Sequence, residues 1–158
     1  MSEPEVEKAL KTYPQKLIFT STERSKMAQK ILLDSDFLIA LYKPTDSSHQ
    51  KAKSLASKYF KTHEFLVLNL VIFESVTVLS YQIGMSEAKK FYLNLQDFIH
   101  AVINFDDNLE KKTWGIFLKQ EKKGASFIDC ANLTLLMEYN LSGILSFDRF
   151  YHNKRFNG

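Results

Sequence analysis

Four short apolar runs constrain this chain more than any other feature: residues 31–33, 65–68, 101–105 and 144–147. A strand with one wet face alternates polar and apolar residues, and these runs do not. Unbroken apolarity is what a strand needs when both faces of its sheet are covered. The segments between them carry helical periodicity. Ala52, Leu55, Ala56, Tyr59 and Phe60 share one helix face, and Ala88, Phe91, Tyr92 and Leu95 share another. Weaker faces run through Leu109, Thr113, Ile116, Phe117 and Gln120, and through Ile128, Ala131, Leu135, Leu136 and Tyr139. Asp46 or Ser47 is the expected cap of the first of these helices, and Gly84, Gly124 and Gly143 stand where helices should end. Strand–helix alternation of this kind predicts an α/β fold of three layers, α/β/α, around a central, mainly parallel twisted sheet of four to five strands.

The repeating pattern begins at Lys30, so residues 30–158 form the expected compact domain. Residues 1–29 read as an N-terminal arm or extension: they are polar, hold Pro4 and Pro14, and offer only a brief helix at 5–13 and an extended piece at 16–20. The full length of 158 residues suits one domain that needs no disulfide. The single cysteine, Cys130, lies in an apolar run and reads as a buried thiol, which fits a reducing, cytoplasmic setting. No apolar stretch is long enough to span a bilayer, so no membrane association is expected. A net charge of +3 permits a polyanionic partner without requiring one.

Ligands of open α/β sheets bind beyond the carboxyl ends of the strands. Asp34 and Asp148 directly follow apolar runs, Glu74 lies early in the helix after the second run, and Asp129 opens the helix before the last. All four therefore belong to one edge. Each has a plainer use: Asp34 as the cap of a helix starting at Ser35, Asp129 as the partner of Ser126 in a capping box, Asp148 as a turn residue, Glu74 in a structural ion pair. Glu74 resists its plainer use best, since it sits within the apolar stretch 70–79, where a carboxylate is expected to be buried and costly. Clustered carboxylates repel one another unless a cation neutralises them, and hard oxygen donors suit Mg²⁺ or Mn²⁺. The chain has no CxxC, no HExxH and scattered histidines, which disfavours zinc. It also has no P-loop or GxGxxG.

These segments resemble the PIN-domain nucleases, especially the VapC toxins of toxin–antitoxin pairs. Residues 31–39 match an apolar strand running into Asp34-Ser35-Asp36, residues 72–76 an apolar helix with the lone Glu74, residues 127–131 the motif around Asp129, and residues 144–150 the motif in which Ser146 precedes Phe147-Asp148. The resemblance spans about residues 30–156. It implies a PIN-like fold, metal-dependent endoribonuclease activity on RNA, frequent homodimers and inhibition by a cognate antitoxin. It implies Asp34, Glu74, Asp129 and Asp148 as catalytic metal ligands for one or two Mg²⁺ or Mn²⁺ ions, with Asp36 and Ser146 in support. Arg149, Lys154 and Arg155, and then Lys43, are the expected phosphate contacts, because backbone phosphates supply most non-specific affinity.

Two rivals stand beside this reading. A non-catalytic PIN-like scaffold would bind RNA or protein without cleaving. A haloacid-dehalogenase-like phosphatase would use Asp34 as a nucleophile and Asp106-Asp107 as its acidic pair, but it leaves Glu74 without a role, and Asp106 reads more simply as a helix cap.

Overall fold

The computed structural model describes residues 29–121 and 123–155, and the expectations for residues 1–28 lie outside them. Four strands, β1 (Gln29–Leu33), β2 (His63–Leu68), β3 (Ala101–Ile103) and β4 (Gly143–Leu145), form one sheet in the order β3-β2-β1-β4. Every pairing is parallel, with Leu33 opposite Val67 on one side and Leu145 on the other. Six helices connect them: α1 (Ser35–Tyr42), α2 (His49–Tyr59), α3 (Asn69–Ile83), α4 (Met85–Phe98), α5 (Asp107–Phe117) and α6 (Phe127–Glu138). A turn of 3₁₀ helix, Arg149–Tyr151, follows β4.

The strand order places the site. From β1 the chain winds outward through β2 to β3, then returns to lay β4 on the other side of β1. Right-handed crossovers in opposite directions put their helices on opposite faces, which yields the α/β/α layering. The direction reverses between β1 and β4, and the crevice at their carboxyl ends is where such sheets take ligands. Asp34 leaves β1 and Ser146 leaves β4 at that point, with the Asp34 amide donating to the Leu145 carbonyl at 3.1 Å.

Ile31, Leu32, Leu33, Phe65, Leu66, Val67, Ile144 and Leu145 are all buried, as unbroken apolar strands should be. The helices cover them with single faces, such as Ala52, Leu55 and Ala56 of α2 and Ala88, Phe91 and Leu95 of α4. Strand ends differ from expectation. β3 stops at Ile103 because the Phe105 amide turns to Asn69 Oδ1 at 3.0 Å. β4 stops at Leu145 because Ser146 and Phe147 turn to carboxylates. Among the described residues a fifth strand amounts to one parallel bridge, Ile144 to Arg155.

Helix caps also shift. α2 begins at His49 with Ser48 at its cap position, while Asp46 accepts from the Ser48 amide at 2.8 Å. Gly84 joins α3 to α4 at φ +95°, a conformation that side chains with a Cβ disfavour. Gly143 opens β4 instead of ending a helix: α6 has already ended at Glu138, capped by Tyr139 in an extended conformation. Cys130 is buried, and burial raises its thiol above the ordinary range.

Candidate active site

Asp34 is the centre of the acidic crevice. It caps α1, with Oδ1 accepting from the Ser35 amide at 2.9 Å, as the plainer reading required. A cap alone is normally wet, whereas Asp34 is only 3% exposed. Its Oδ1 also accepts from Asn132 Nδ2 at 3.1 Å, and its Oδ2 from the Ser146 hydroxyl at 2.8 Å. Burial and the charge of Asp36 hold its carboxyl well above the usual range, Asp129 adding less, against the pull of Ser146 and Ser35.

Ser146 gathers the neighbours. Its hydroxyl lies 3.3 Å from Asp36 Oδ2 and accepts from the Asp148 amide at 3.0 Å. Asp36 Oδ2 also accepts from the Phe147 amide at 2.9 Å, so the carboxylate fastens the exit of β4 to α1. Burial raises the Asp36 carboxyl too, Asp148 adding a smaller push. Asp148 caps the 3₁₀ turn, accepting from the Phe150 amide at 2.7 Å, and is exposed.

Asp129 and Ser126 form the full capping box that the spacing predicted. The cap does not exhaust the residue. Its Oδ1 accepts from the Tyr151 hydroxyl at 3.0 Å, and that hydroxyl accepts from Asn132 Nδ2 at 3.3 Å. Burial, then the charges of Asp34 and Asp129, push the phenol far above its ordinary value, so Tyr151 stays a donor. Asn132 and Tyr151 thus connect Asp129 to Asp34. Sequence reading missed both. A buried Asn in an apolar helix was a usable signal, since Asn rarely goes inside without a task. Tyr151 gave none.

Glu74 stands apart from this network. It is half-buried, not buried, because α3 packs through Val71, Ile72, Ser75 and Leu79 and leaves position 74 on the flank. It shares none of the hydrogen bonds that join the other acids. The expected phosphate contacts also divide. Arg149 and Lys154 are exposed beside Asp148. The Arg155 guanidinium donates to the Phe147 carbonyl at 3.2 Å, and Lys43 donates to Gln82 at 3.0 Å, in the last turn of α3. Asp106 caps α5 through the Leu109 amide at 2.8 Å, which is the simpler role foreseen for it.

Among the described residues no three or more His, Cys, Asp or Glu side chains are grouped closely enough to hold an ion between them. The acids are turned onto donors of the chain itself. Their chemistry nonetheless suits a hard cation. The donors are carboxylate oxygens, and like charge is crowded around Asp34. Two buried oxygens of the network, Asp36 Oδ1 and Asn132 Oδ1, have no hydrogen-bond partner. Buried polar atoms are seldom left so without a functional reason.

Comparison with known proteins agrees with the geometry. The structure is similar to that of the Mycobacterium tuberculosis toxin VapC20, described as cleaving the sarcin–ricin loop, with a TM-score of 0.70. The likeness covers 78% of this chain and 93% of that one at 22% sequence identity, which establishes a shared fold. No curated protein sequence matches the chain. The family model for the PIN domain matches residues 31–157, a span that takes in β4, β1 from Ile31 onward and every acid described above. This chain belongs to the PIN-domain family.

Proposed function

We propose that the chain is a metal-dependent endoribonuclease, the toxin of a toxin–antitoxin pair. The observation that carries the reading is the buried Asp34, wired to Asp36, Asp129 and Asp148 at the switch point of a PIN-domain sheet. A carboxylate held there against burial and like charge is stabilised by a cation. Asp34, Asp129, Asp148 and Glu74 would hold Mg²⁺ or Mn²⁺, with Asp36 and Ser146 in support. Bound there, the ion supplies a more acidic water and neutralises charge on the phosphate oxygens. The chain's own part is to fix the acids. Ser146 orients Asp34, while Tyr151 and Asn132 hold Asp129 and Asp34 at a set separation. Water attacks phosphorus in line with the leaving 3′-oxygen, leaving a 5′-phosphate and a 3′-hydroxyl. A cytoplasmic location, a homodimer and an antitoxin partner accompany this reading. Among the described residues no helix is long and apolar enough to cross a membrane.

The test is cleavage of a panel of RNAs with Mg²⁺ or Mn²⁺ and with EDTA. Cuts that depend on the ion and leave 5′-phosphates are expected; no ion-dependent cut on any RNA would sink the nuclease reading. Because no ready-made ion group exists among the described residues, a non-catalytic RNA-binding scaffold is the second reading. Calorimetric titration with Mn²⁺ separates the two, since the scaffold binds none at millimolar metal.

Arg149 and Lys154 are proposed to meet the RNA backbone. Replacing either by Ala is expected to weaken binding of all RNA sequences alike. It should also reduce the slope of log K against log salt by about 0.7, the single-strand value for one phosphate contact. An unchanged slope for both variants removes them from the interface.

A further inference from the structure

Beside the acidic crevice lies an aromatic cluster to which the reading above gives no role. Phe127, the first residue of α6, packs against Trp114 at 4.6 Å between ring centroids, Phe117 at 5.7 Å and Phe105 at 5.9 Å. Trp114 and Phe117, both on α5, meet edge to face at 5.6 Å. Partial exposure of a large ring is ordinary in itself, and what sets Trp114 apart is how it is held. Here Trp114 remains 44% exposed while its indole N–H is fixed on Glu110 at 3.3 Å. The result is a large flat side chain, held by its neighbours, that still meets water.

Its location is the second observation. Phe105 follows β3 at the carboxyl edge of the sheet, tied by its amide to Asn69 at the start of α3. Phe127 and Asp129 share the first turn of α6, separated by about 3 Å of helix rise. Those two side chains point away from each other around the helix, so what the cluster shares with the acids is the carboxyl edge of the sheet, reached through Phe105 and Phe127. Lys111, one turn before Trp114, is exposed, as are Lys119 and Lys123 beyond α5. A flat exposed ring, with Glu110 on its indole edge and exposed lysines on the same helix and the loop beyond, has the chemistry of a single-strand platform, in which rings stack bases and cations follow the backbone. Leu118 and Met137 are also exposed near this pair of helices, so a protein partner is the alternative, and it would leave the indole emission unchanged when RNA is added.

We propose that Trp114, seated on Phe127 and Phe117, stacks an unpaired nucleobase of the RNA beside the cleaved bond. The inference rests on the nuclease reading and deepens it: the substrate is single-stranded at the cut, and Trp114 is a specificity-determining contact. Trp114 is the only tryptophan of the chain, so its fluorescence reports on this position alone.

The experiment has two arms on the full chain. In the first, a short single-stranded RNA is titrated against the indole emission in EDTA, beside a ribose-phosphate oligomer of the same length without bases. The RNA is expected to quench and the base-free oligomer to leave the emission unchanged. In the second, Trp114→Ala is expected to raise KM for cleavage about tenfold with kcat little changed, the lower part of the range for one lost stacking platform, while Trp114→Phe restores most of the loss. Equal quenching by the base-free oligomer, no quenching by either, or an unchanged KM in a folded Trp114→Ala overturns the proposal. Should the alanine variant fail to fold, the quenching arm on the wild type decides. That arm needs no turnover, so absence of cleavage defeats the nuclease reading without deciding the stacking site.

Discussion

Asp34→Asn is expected to lower ion-dependent RNA cleavage by at least about 10²–10³-fold, the loss that follows removal of one transition-state-stabilising group. The same change is expected to make the metal-free fold more stable. Both effects come from one carboxylate. Asn keeps the local bonds: its Oδ1 still accepts from the Ser35 amide and from Asn132, where distances are now 2.9 and 3.1 Å. Its Nδ2 takes the place of Oδ2 and donates to the Ser146 oxygen, which frees that hydroxyl to serve Asp36 Oδ2, already 3.3 Å away. What disappears is the negative charge, which burial and Asp36 oppose in the metal-free protein and which a cation would require. The pH dependence follows from the direction of that shift. A carboxyl raised on folding contributes stability below its unfolded value, near 4, and that contribution is lost as pH climbs through the raised folded value. Asn does not titrate. The variant should therefore melt close to the wild type at about pH 4 and above it by about 2–4 °C at about pH 8, as a gain on the order of 1 kcal/mol gives in a domain of this size. Melting curves across that range in EDTA, run beside the cleavage assay, check both halves. Near-wild-type cleavage contradicts the assigned role of Asp34, and a melting difference that shrinks with rising pH contradicts its electrostatics.

The parallel sheet was legible because burial on both faces leaves an unbroken apolar mark, and the runs at 31–33 and 65–68 lie within β1 and β2. Strand ends were less legible. Ser146 and Phe147 look like strand, but their polar groups are claimed by Asp34 and Asp36, more than a hundred positions earlier in the chain. How the acids connect to one another was also less legible, for the same physical reason. Glu74 drew attention through apolar neighbours in sequence, yet a helix turns, and the buried face of α3 passes position 74 by. Asp129 is accounted for in sequence by a local cap. Its tie to the crevice comes from Tyr151, on a segment whose docking no local pattern announces. Local chemistry thus reveals which residues are costly to place. It does not reveal which distant side chain offsets the cost.

Asn132 makes that dependence measurable. It is fully buried on α6, donates to Asp34 and to the Tyr151 hydroxyl, and touches no surface that RNA could reach. Asn132→Ala deprives two buried acceptors of a donor at once. Removing one partner of a buried hydrogen bond costs about 1–3 kcal/mol, so the variant should melt well below the wild type. Groups that orient metal ligands from behind are worth about 10–100-fold in metal affinity or activity, and a loss in that range is expected in Mn²⁺ affinity and in kcat. KM for RNA should stay put, which separates positioning from substrate contact. Tyr151→Phe removes the donation to Asp129 and one acceptor of Asn132, leaves the Asn132–Asp34 bond in place, and should produce a smaller loss of the same kind. Because the two side chains bond to each other, the double variant should lose less than the sum of the single losses. Additive losses would mean that Asp129 and Asp34 are held independently, and an RNA KM that rises while Mn²⁺ affinity holds would move Asn132 out of the acidic network altogether.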